Sequence, residues 1–416
     1  MNLIPLLPFI GARSSSKVAA TQSSETEVSD MWTQFAAPPS QGRSMAIGTW
    51  IRRGAQAVSA IAHATMLGAM LALPGFSALA RPADADDSTA NDARGMRVQI
   101  DNDLFAGRER DRDYTGGMGI TISGAAAREG WLSLDPVLAW ADALALAPLD
   151  EPAAADDPRV RIHHARQVGL MAFTPADTLR AEAQFDDRPY ASLLFLSNGR
   201  VRVDDNDRDA WSSSVTIGVL GLRLSQRLHG AVHELVGSER PQGYDHQISA
   251  GGEPTARYTL ARHRLLLANP AGNLDVKTTV QGSVGYLTEA SAAISVRAGR
   301  FDTPWWSFAP ELTDYMAAPV PVERGHGLHE LYVFFGARIK ARVYDAFLQG
   351  QFRHSDVRYS IDEIRPVIAE AWIGVATRIF GQTQLSYTLN YQTAELREGE
   401  AARDALWGGV QLAHVF

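Results

Sequence analysis

The chain contains no cysteine among its 416 residues. Without a thiol it can form no disulfide bond, and it offers neither a cysteine nucleophile nor thiolate ligands for zinc or an iron–sulfur cluster. An excess of positive charge is also missing, because the formal net charge is −8 at pH 7. A basic nucleic-acid-binding surface is therefore not expected, and no nucleic-acid partner is predicted.

The beginning of the chain has the pattern of an export signal. Residues 1–44 form a polar, low-complexity leader, and we expect translation to start at Met31 or Met45 rather than at Met1. Two arginines, an apolar run and a small-residue cleavage pattern then predict a signal peptide over 45–80. The alternative is a membrane-anchoring helix, which a histidine and a proline within the run disfavour.

Long apolar runs are absent from the remainder, residues 81–416, which we expect to form a single domain. No stretch of about 18 apolar residues occurs there, so no membrane-spanning helix is predicted. Hydrophobic residues nevertheless make up 45% of the chain, which is too much for a disordered polypeptide. An exported chain with these properties is either soluble or an outer-membrane β-barrel.

Alternation of apolar and polar residues favours the barrel. On one such segment we expect Tyr114, Met118, Ile120 and Ile122 on one face, and the last segment ends at the aromatic Phe416. About 12 segments are strand candidates, and even strand numbers are the rule for such barrels, so the predicted fold class is all-β, a transmembrane antiparallel β-barrel. A soluble β-sandwich is the alternative. The clearest strand segments are Gly95–Asp103, Asp113–Ser123, Ser212–Leu222, Thr278–Tyr286, Leu331–Val343, Arg365–Ile379, Gln382–Thr393 and Leu406–Phe416.

Two short helices are predicted in the connections between strands. Asp135 and Pro136 have the residue types of an N-cap and a first turn. Ser225 can cap a second helix that ends at Gly237. The apolar face of this second helix would comprise Leu228, Val232, Leu235 and Val236.

Three polar clusters could carry chemistry. The first cluster contains Asn102 and Asp103 at the end of one predicted strand, and the second contains Thr115 at the start of the next. The third contains His229 and His233 on the second helix. Carboxylate and amide oxygens can hold a hard cation such as Ca²⁺, and a nearby histidine can activate water. Each cluster taken alone also fits an ordinary turn or a packed surface histidine. Asn102 and Asp103 could both face inward only at a bulge or a strand end.

Five ordered motifs make the pattern specific. They are Val98–Phe105, Asp113–Gly117, Phe173–Pro175, Asp186–Ala191, and Val232–Gly237 running into Gln242–Gln247. In their residues and in their spacing, the five motifs together resemble the outer-membrane lipid A 3′-O-deacylase family. They cover about residues 95–250, and beyond them the resemblance rests on the barrel pattern and the terminal phenylalanine.

The resemblance implies a 12-stranded barrel that uses Ca²⁺ to hydrolyse the ester of the 3′-linked acyloxyacyl chain of lipid A. By the same resemblance, His233 would be the general base that activates water. Asn102, Asp103, Thr115 and Glu239 would shape the polar catalytic site, with Asp103 and Glu239 as metal ligands. The implied partners are lipid A or lipopolysaccharide and the outer-membrane bilayer. We expect a monomer, because a closed barrel pairs its own strand edges.

Two further residues have competing interpretations. At the position of His229 the family generally has glutamine, so His229 is either a substitute hydrogen-bond partner or, with His233 at i, i+4, part of a transition-metal site. Arg188 could bind a lipid A phosphate or form a structural pair with an aspartate.

Two other functions are compatible with the sequence. The first is a non-catalytic barrel, either porin-like or structural. The second is an outer-membrane phospholipase of different specificity, although the chain offers no clear serine–histidine nucleophile pattern.

Overall fold

The computed structural model describes residues 94–107, 112–147, 160–204, 206–236, 239–312, 319–323, 325 and 329–416. The expected leader, the signal peptide over 45–80 and the helix-terminating Gly237 lie outside these ranges. Within α2, defined below, the side chain of His233 is likewise outside what the structure describes.

Twelve antiparallel strands form a closed barrel in which each strand pairs with its neighbours in sequence. The first strand closes the barrel by pairing with the last, from Gly95 opposite Val415 to Asn102 opposite Gly408. This arrangement confirms the predicted fold class. The strands are β1 (Gly95–Asn102), β2 (Asp113–Ser123), β3 (Val160–Thr174), β4 (Ala191–Asp204), β5 (Asp209–Leu220), β6 (Glu253–Ala268), β7 (Leu274–Gly285), β8 (Leu287–Arg300), β9 (Leu331–Asp345), β10 (Val367–Phe380), β11 (Thr383–Gln392) and β12 (Ala405–Val415).

The two ends of the barrel differ in their connections. At the end where β1 begins and β12 finishes, three of the five connections are short, at residues 205–208, 269–273 and 381–382, and the other two, 124–159 and 301–330, are long. At the opposite end five of the six connections have ten residues or more. Outer-membrane barrels have short turns on the periplasmic side and longer loops outside, so we assign the end with the three short turns to the periplasm. The extracellular end therefore carries the long connection between β5 and β6.

The strands alternate between a lipid-facing and an interior surface, as β9 illustrates. Val333, Phe335 and Ile339 are exposed on the outside, whereas Phe334 and Lys340 are buried inside. An apolar outer surface with polar groups on the inner one is the pattern of a membrane barrel.

A bulge in β2 overturns one predicted face. The register against β3 shifts between Tyr114 and Gly116. Tyr114 consequently points into the barrel and is 1% exposed, whereas Met118 lies on the outer surface and is 36% exposed. The prediction that both share a face was wrong, because the extra residue reverses the alternation at this point.

The barrel interior is closed by an aromatic layer and by paired charges. Near the extracellular end, Tyr114 packs edge-on against Trp407 and at a tilt against Phe173, both at 5.4 Å between ring centroids. At the same end the Arg342 guanidinium contacts Glu289 at 2.8 Å. Both side chains are 1% exposed. Side chains thus fill the barrel interior near its extracellular end.

Three α-helices lie in the connections of the described chain: α1 (Asp135–Leu146), α2 (Arg223–Val236) and α3 (Ala346–Gln349). The two predicted helices are present with shifted starts. Asp135 is the first residue of α1 and not its cap, and α2 begins before Ser225. None of the helices in the described ranges has the length and apolarity needed to cross a membrane.

Candidate functional site

Asn102 ends β1 and ties it to β2. Its Oδ1 accepts the backbone N–H of Leu104 at 2.8 Å, so it caps a short 3-10 helix over Asp103–Ala106. Its Nδ2 donates to the carbonyl oxygen of Thr115 at 2.8 Å. A Cβ on Gly116, which has φ +155°, would lie 2.4 Å from the Asp101 carbonyl oxygen. Only glycine therefore allows this close approach of the two strands.

Asp103 follows the strand end, so it escapes strict alternation and is buried beside Asn102. Its carboxylate Oδ2 accepts the backbone N–H of Arg112 at 2.8 Å, and the residue is 1% exposed. The sequence required a bulge or a strand end here for Asn102 and Asp103 to depart from strict alternation, and β1 does end at Asn102. The structure thus provides a buried acidic side chain at the extracellular end of β1.

Thr115 lies at the bulge of β2, where it meets the end of β3. Its hydroxyl oxygen is 2.6 Å from that of Thr174, and either hydroxyl can be the donor. Both residues are almost fully buried. The pairing of β1 with β2 therefore brings Thr115 to Asn102, 13 residues earlier in the chain, and to the adjoining Asp103.

The second part of the candidate site is built on α2. The Nδ1 atom of His229 lies 2.9 Å from the hydroxyl oxygen of Tyr244, within hydrogen-bond distance. The ring of Tyr244 packs on that of Tyr190 at 4.6 Å between centroids. This contact fits the interpretation of His229 as a substitute hydrogen-bond partner. His233 lies one turn further along the same helix.

The loop of residues 175–190 connects the two parts. It begins directly after Thr174, and within it the carbonyl oxygen of Thr178 accepts the Tyr190 hydroxyl at 3.0 Å. The same carbonyl accepts the backbone N–H of Gln242 at 2.9 Å. The loop therefore joins the threonine pair at the top of β3 to the segment that carries Tyr244.

Glu239 lies three residues beyond the end of α2 and is exposed. Among the residues that the structure describes, no group of three or more histidine and acidic side chains could hold a metal ion. Calcium sites, however, also use hydroxyl and backbone carbonyl oxygens. The oxygen donors of Asp103 and Thr115 fit a hard cation in their chemistry, so Ca²⁺ remains a proposal.

Arg188 is buried inside the barrel. Its Nη1 atom donates to the Glu395 carboxylate, and its guanidinium carbon lies 4.3 Å from the ring centroid of Phe173. The adjacent aspartate, Asp187, pairs with Arg403 at 2.9 Å. The phosphate contact of Arg188 stays a prediction, and the structure adds an ion pair with a different acidic residue.

The environment of Glu395 strongly favours its charged form. Burial by itself raises the pKa of this carboxyl, but the positive charges of Arg188 and Arg342 outweigh burial and lower the pKa to about 2. Paired and hydrogen-bonded charges of this kind fix the extracellular end of the barrel interior.

The family model described as "Outer membrane protein LpxR" matches residues 69–416. The chain belongs to this family. The match confirms the resemblance that the five motifs indicated, and it places the protein in the outer membrane, in agreement with the closed barrel.

One solved structure supports the fold. LpxR from Salmonella typhimurium matches with a TM-score of 0.58 and 15% identity, covering 77% of this chain and 100% of that chain. The β domain of the Bordetella autotransporter BrkA matches with a TM-score of 0.36 and 10% identity, covering 77% and 98%, which is too weak to support a conclusion. The comparison with curated proteins found no significant match.

Sequence reasoning missed three partners within the site of this LpxR family member. Thr174 contacts Thr115, Tyr244 contacts His229, and Tyr190 supports Tyr244. All three belong to the five motifs, so the signal was present. Their roles were not predictable because each contact spans residues that only the folded barrel brings together.

Proposed function

We propose that this chain is a lipid A 3′-O-deacylase. It would hydrolyse the ester of the 3′-linked acyloxyacyl chain in the outer leaflet of the outer membrane. The observation that carries the proposal is the LpxR family match over residues 69–416, which includes every motif of the candidate site. Because the closed barrel leaves no unpaired strand edge, we expect the protein to act as a monomer.

In the proposed reaction, His233 takes a proton from a water molecule. The water oxygen forms a bond with the ester carbonyl carbon, and the bond from that carbon to the 3′ oxygen breaks. The leaving oxygen receives the proton, so the products are a free 3′ hydroxyl and an acyloxyacyl acid. General-base help of this kind contributes about 10²–10⁴-fold.

The other residues would position this chemistry. Asn102 holds the end of β1 against the bulge of β2, and the threonine pair fixes the neighbouring strand end. The contact between His229 and Tyr244 anchors the helix that carries His233. Preorganised groups cost little reorganisation during the reaction.

A cation would complete the site in this proposal. Asp103 and Glu239 would hold it, with Thr115 close by. When bound, Ca²⁺ would supply electrostatic stabilisation of the negative charge that develops on the ester carbonyl oxygen.

A passive channel is the competing proposal, and the barrel interior gives it less support. Porins keep a water-filled lumen. Here the interior side chains of Lys340, Glu370 and Arg338 are buried together, with the two basic groups contacting the same carboxylate. These side chains lie where a channel would need water.

Mass spectrometry of lipid A from cells that express the chain tests the proposal. Expression of the wild type should remove one 3′-linked acyloxyacyl group, and His233→Ala should abolish the change. His354→Ala is the matched control, because its side chain lies on another extracellular loop and is 79% exposed. Full activity of His233→Ala would reject the site assignment, and unchanged lipid A despite a correctly inserted barrel would reject the function.

A further inference from the structure

Helix α1 has its polarity reversed relative to a helix that faces water. Its only charged residues are Asp135 and Asp142. Asp142 is buried, whereas Val137, Trp140 and Leu144 are exposed at 49%, 65% and 59%. A helix on a water-exposed surface normally buries its apolar face and exposes its charges.

The buried face of α1 packs on the outer wall of the barrel. The Asp142 carboxylate accepts hydroxyl hydrogen bonds from Ser213 on β5 and Tyr258 on β6, both at 2.8 Å. It also pairs with Arg200 on β4 at 3.4 Å. Leu138, one turn before it, is completely buried. Side chains of three adjacent strands therefore form the surface on which this helix packs.

Without α1 and the turn before it, this part of the wall would be polar. Arg166 on β3 donates to the carbonyl oxygen of Ala127 at 2.7 Å, and Asn198 on β4 donates to the same oxygen at 2.8 Å. Asn198 also accepts the backbone N–H of Leu134 at 3.2 Å. An uncovered row of such groups would be costly on a surface that faces lipid.

The outward face of α1 continues the lipid-facing surface of the barrel. Val168 follows Arg166 by two residues on the same outer face of β3 and is 51% exposed. On β5, Ile217 follows Ser213 by four residues on the same face and is 42% exposed. Both residues lie toward the extracellular side of the helix, so membrane-facing wall extends right up to α1.

We propose that α1 lies within the membrane and replaces a polar strip of barrel wall with an apolar one. Its outward residues would contact the acyl chains of phospholipids in the inner, periplasm-facing leaflet. Trp131, 92% exposed in the turn before the helix, would lie in the interfacial region that tryptophan favours. This inference is independent of the proposed catalytic function.

The absence of cysteine allows a direct test by single-cysteine spin labelling. Trp140→Cys and Leu144→Cys report on α1 in the full chain, reconstituted into vesicles of phosphatidylethanolamine and phosphatidylglycerol. Val333→Cys, on the outer face of β9 near the same barrel end, is the lipid reference. Asn206→Cys, in the exposed turn between β4 and β5, is the water reference.

The measurement compares collision of each label with oxygen, which partitions into the bilayer, and with a water-soluble nickel chelate. Both α1 labels should behave like Val333→Cys, with oxygen collisions exceeding nickel collisions several-fold. Nickel access equal to that of Asn206→Cys would overturn the proposal. Low access to both reagents would also overturn it, because a protein partner would then cover the helix. If either substitution prevents barrel folding, Val137→Cys provides the second position.

Discussion

The Nδ1 atom of His229 and the hydroxyl oxygen of Tyr244 lie 2.9 Å apart, joining α2 to the segment that follows it. The resemblance described in the sequence analysis implies a glutamine at this position, and a glutamine amide can also hydrogen-bond to a phenol. The contact is compatible with such an exchange, and we propose Tyr244 as a positioning residue for the helix that carries His233.

The first prediction concerns this pair. His229→Gln should retain deacylation within a few-fold, whereas His229→Ala should lower kcat by roughly 10-fold, the value of one lost hydrogen bond. In a Tyr244→Phe background the cost of His229→Ala should shrink, because the partner hydroxyl is already absent. Steady-state kinetics of the four proteins measure the coupling. Additive effects would mean that the contact does not support catalysis, and loss of activity in His229→Gln would favour a metal-binding role.

The second prediction separates two roles of Arg188. Arg188 is one of two buried arginines that pair with Glu395, so Arg188→Met should destabilise the barrel by about 1.5 to 3 kcal/mol, the value of a hydrogen bond to a charged group, while Arg342 still pairs with the carboxylate. The double variant Arg188→Met with Glu395→Leu should recover much of this loss. Chemical unfolding in detergent measures both. A rise in KM for lipid A without loss of stability would instead support the phosphate contact.

The third prediction concerns acid. The folded-state pKa of Glu395 lies at about 2, below its ordinary value of 4.5, so its stabilising contribution is complete above pH 4.5 and is lost as the pH falls toward 2. The thermal midpoint of the wild type should therefore drop over this range. The thermal midpoint of Glu395→Gln should be lower than that of the wild type at neutral pH, and it should fall less as the pH is lowered.

The exposed Glu398 in the same loop provides the control, since Glu398→Gln should keep the wild-type profile. Scanning calorimetry at several pH values measures all three proteins. Parallel profiles for wild type and Glu395→Gln would show that Glu395 is not the group responsible.

The fourth prediction concerns calcium. Chelation of the purified protein should stop deacylation, and added Ca²⁺ should restore it. Asp103→Asn should raise the Ca²⁺ concentration needed for half activity by at least roughly 10-fold, because a neutral amide binds a hard cation less well than a carboxylate. Asp356→Asn, on a different extracellular loop, should respond like the wild type. Undiminished activity in excess chelator would show that deacylation does not require a bound cation.

Barrel strands proved predictable where alternation alone determines them. The segment Asp113–Ser123 coincides with β2, and the last predicted segment differs from β12 (Ala405–Val415) by one residue at each end. Lipid on one side and a packed interior on the other impose a period of two on each strand, and this signal is local.

Features that depend on the closed barrel were not predictable in the same way. The bulge beside Thr115 reversed the expected face of Tyr114, and Arg188 found its partner 207 residues away. The orientation of α1, with its apolar face outward, also depends on residues far away in the sequence. Its residues predict a helix, but only the polar wall beneath Asp142 shows which side faces the barrel.

The candidate site lies between these cases. Asn102, Asp103 and Thr115 were expected together, and the pairing of β1 with β2 brings them together. The bulge and the strand end that allow it are small irregularities which a repeating pattern does not contain.

The most direct test of the central claim is tandem mass spectrometry after incubating purified protein with lipid A in ¹⁸O-labelled water. We predict loss of the 3′-linked acyloxyacyl group, fragment ions that place a free hydroxyl at the 3′ position, and one ¹⁸O atom in the released acid. Lipid A left intact by a correctly folded barrel, or cleaved at a different ester, would contradict the account.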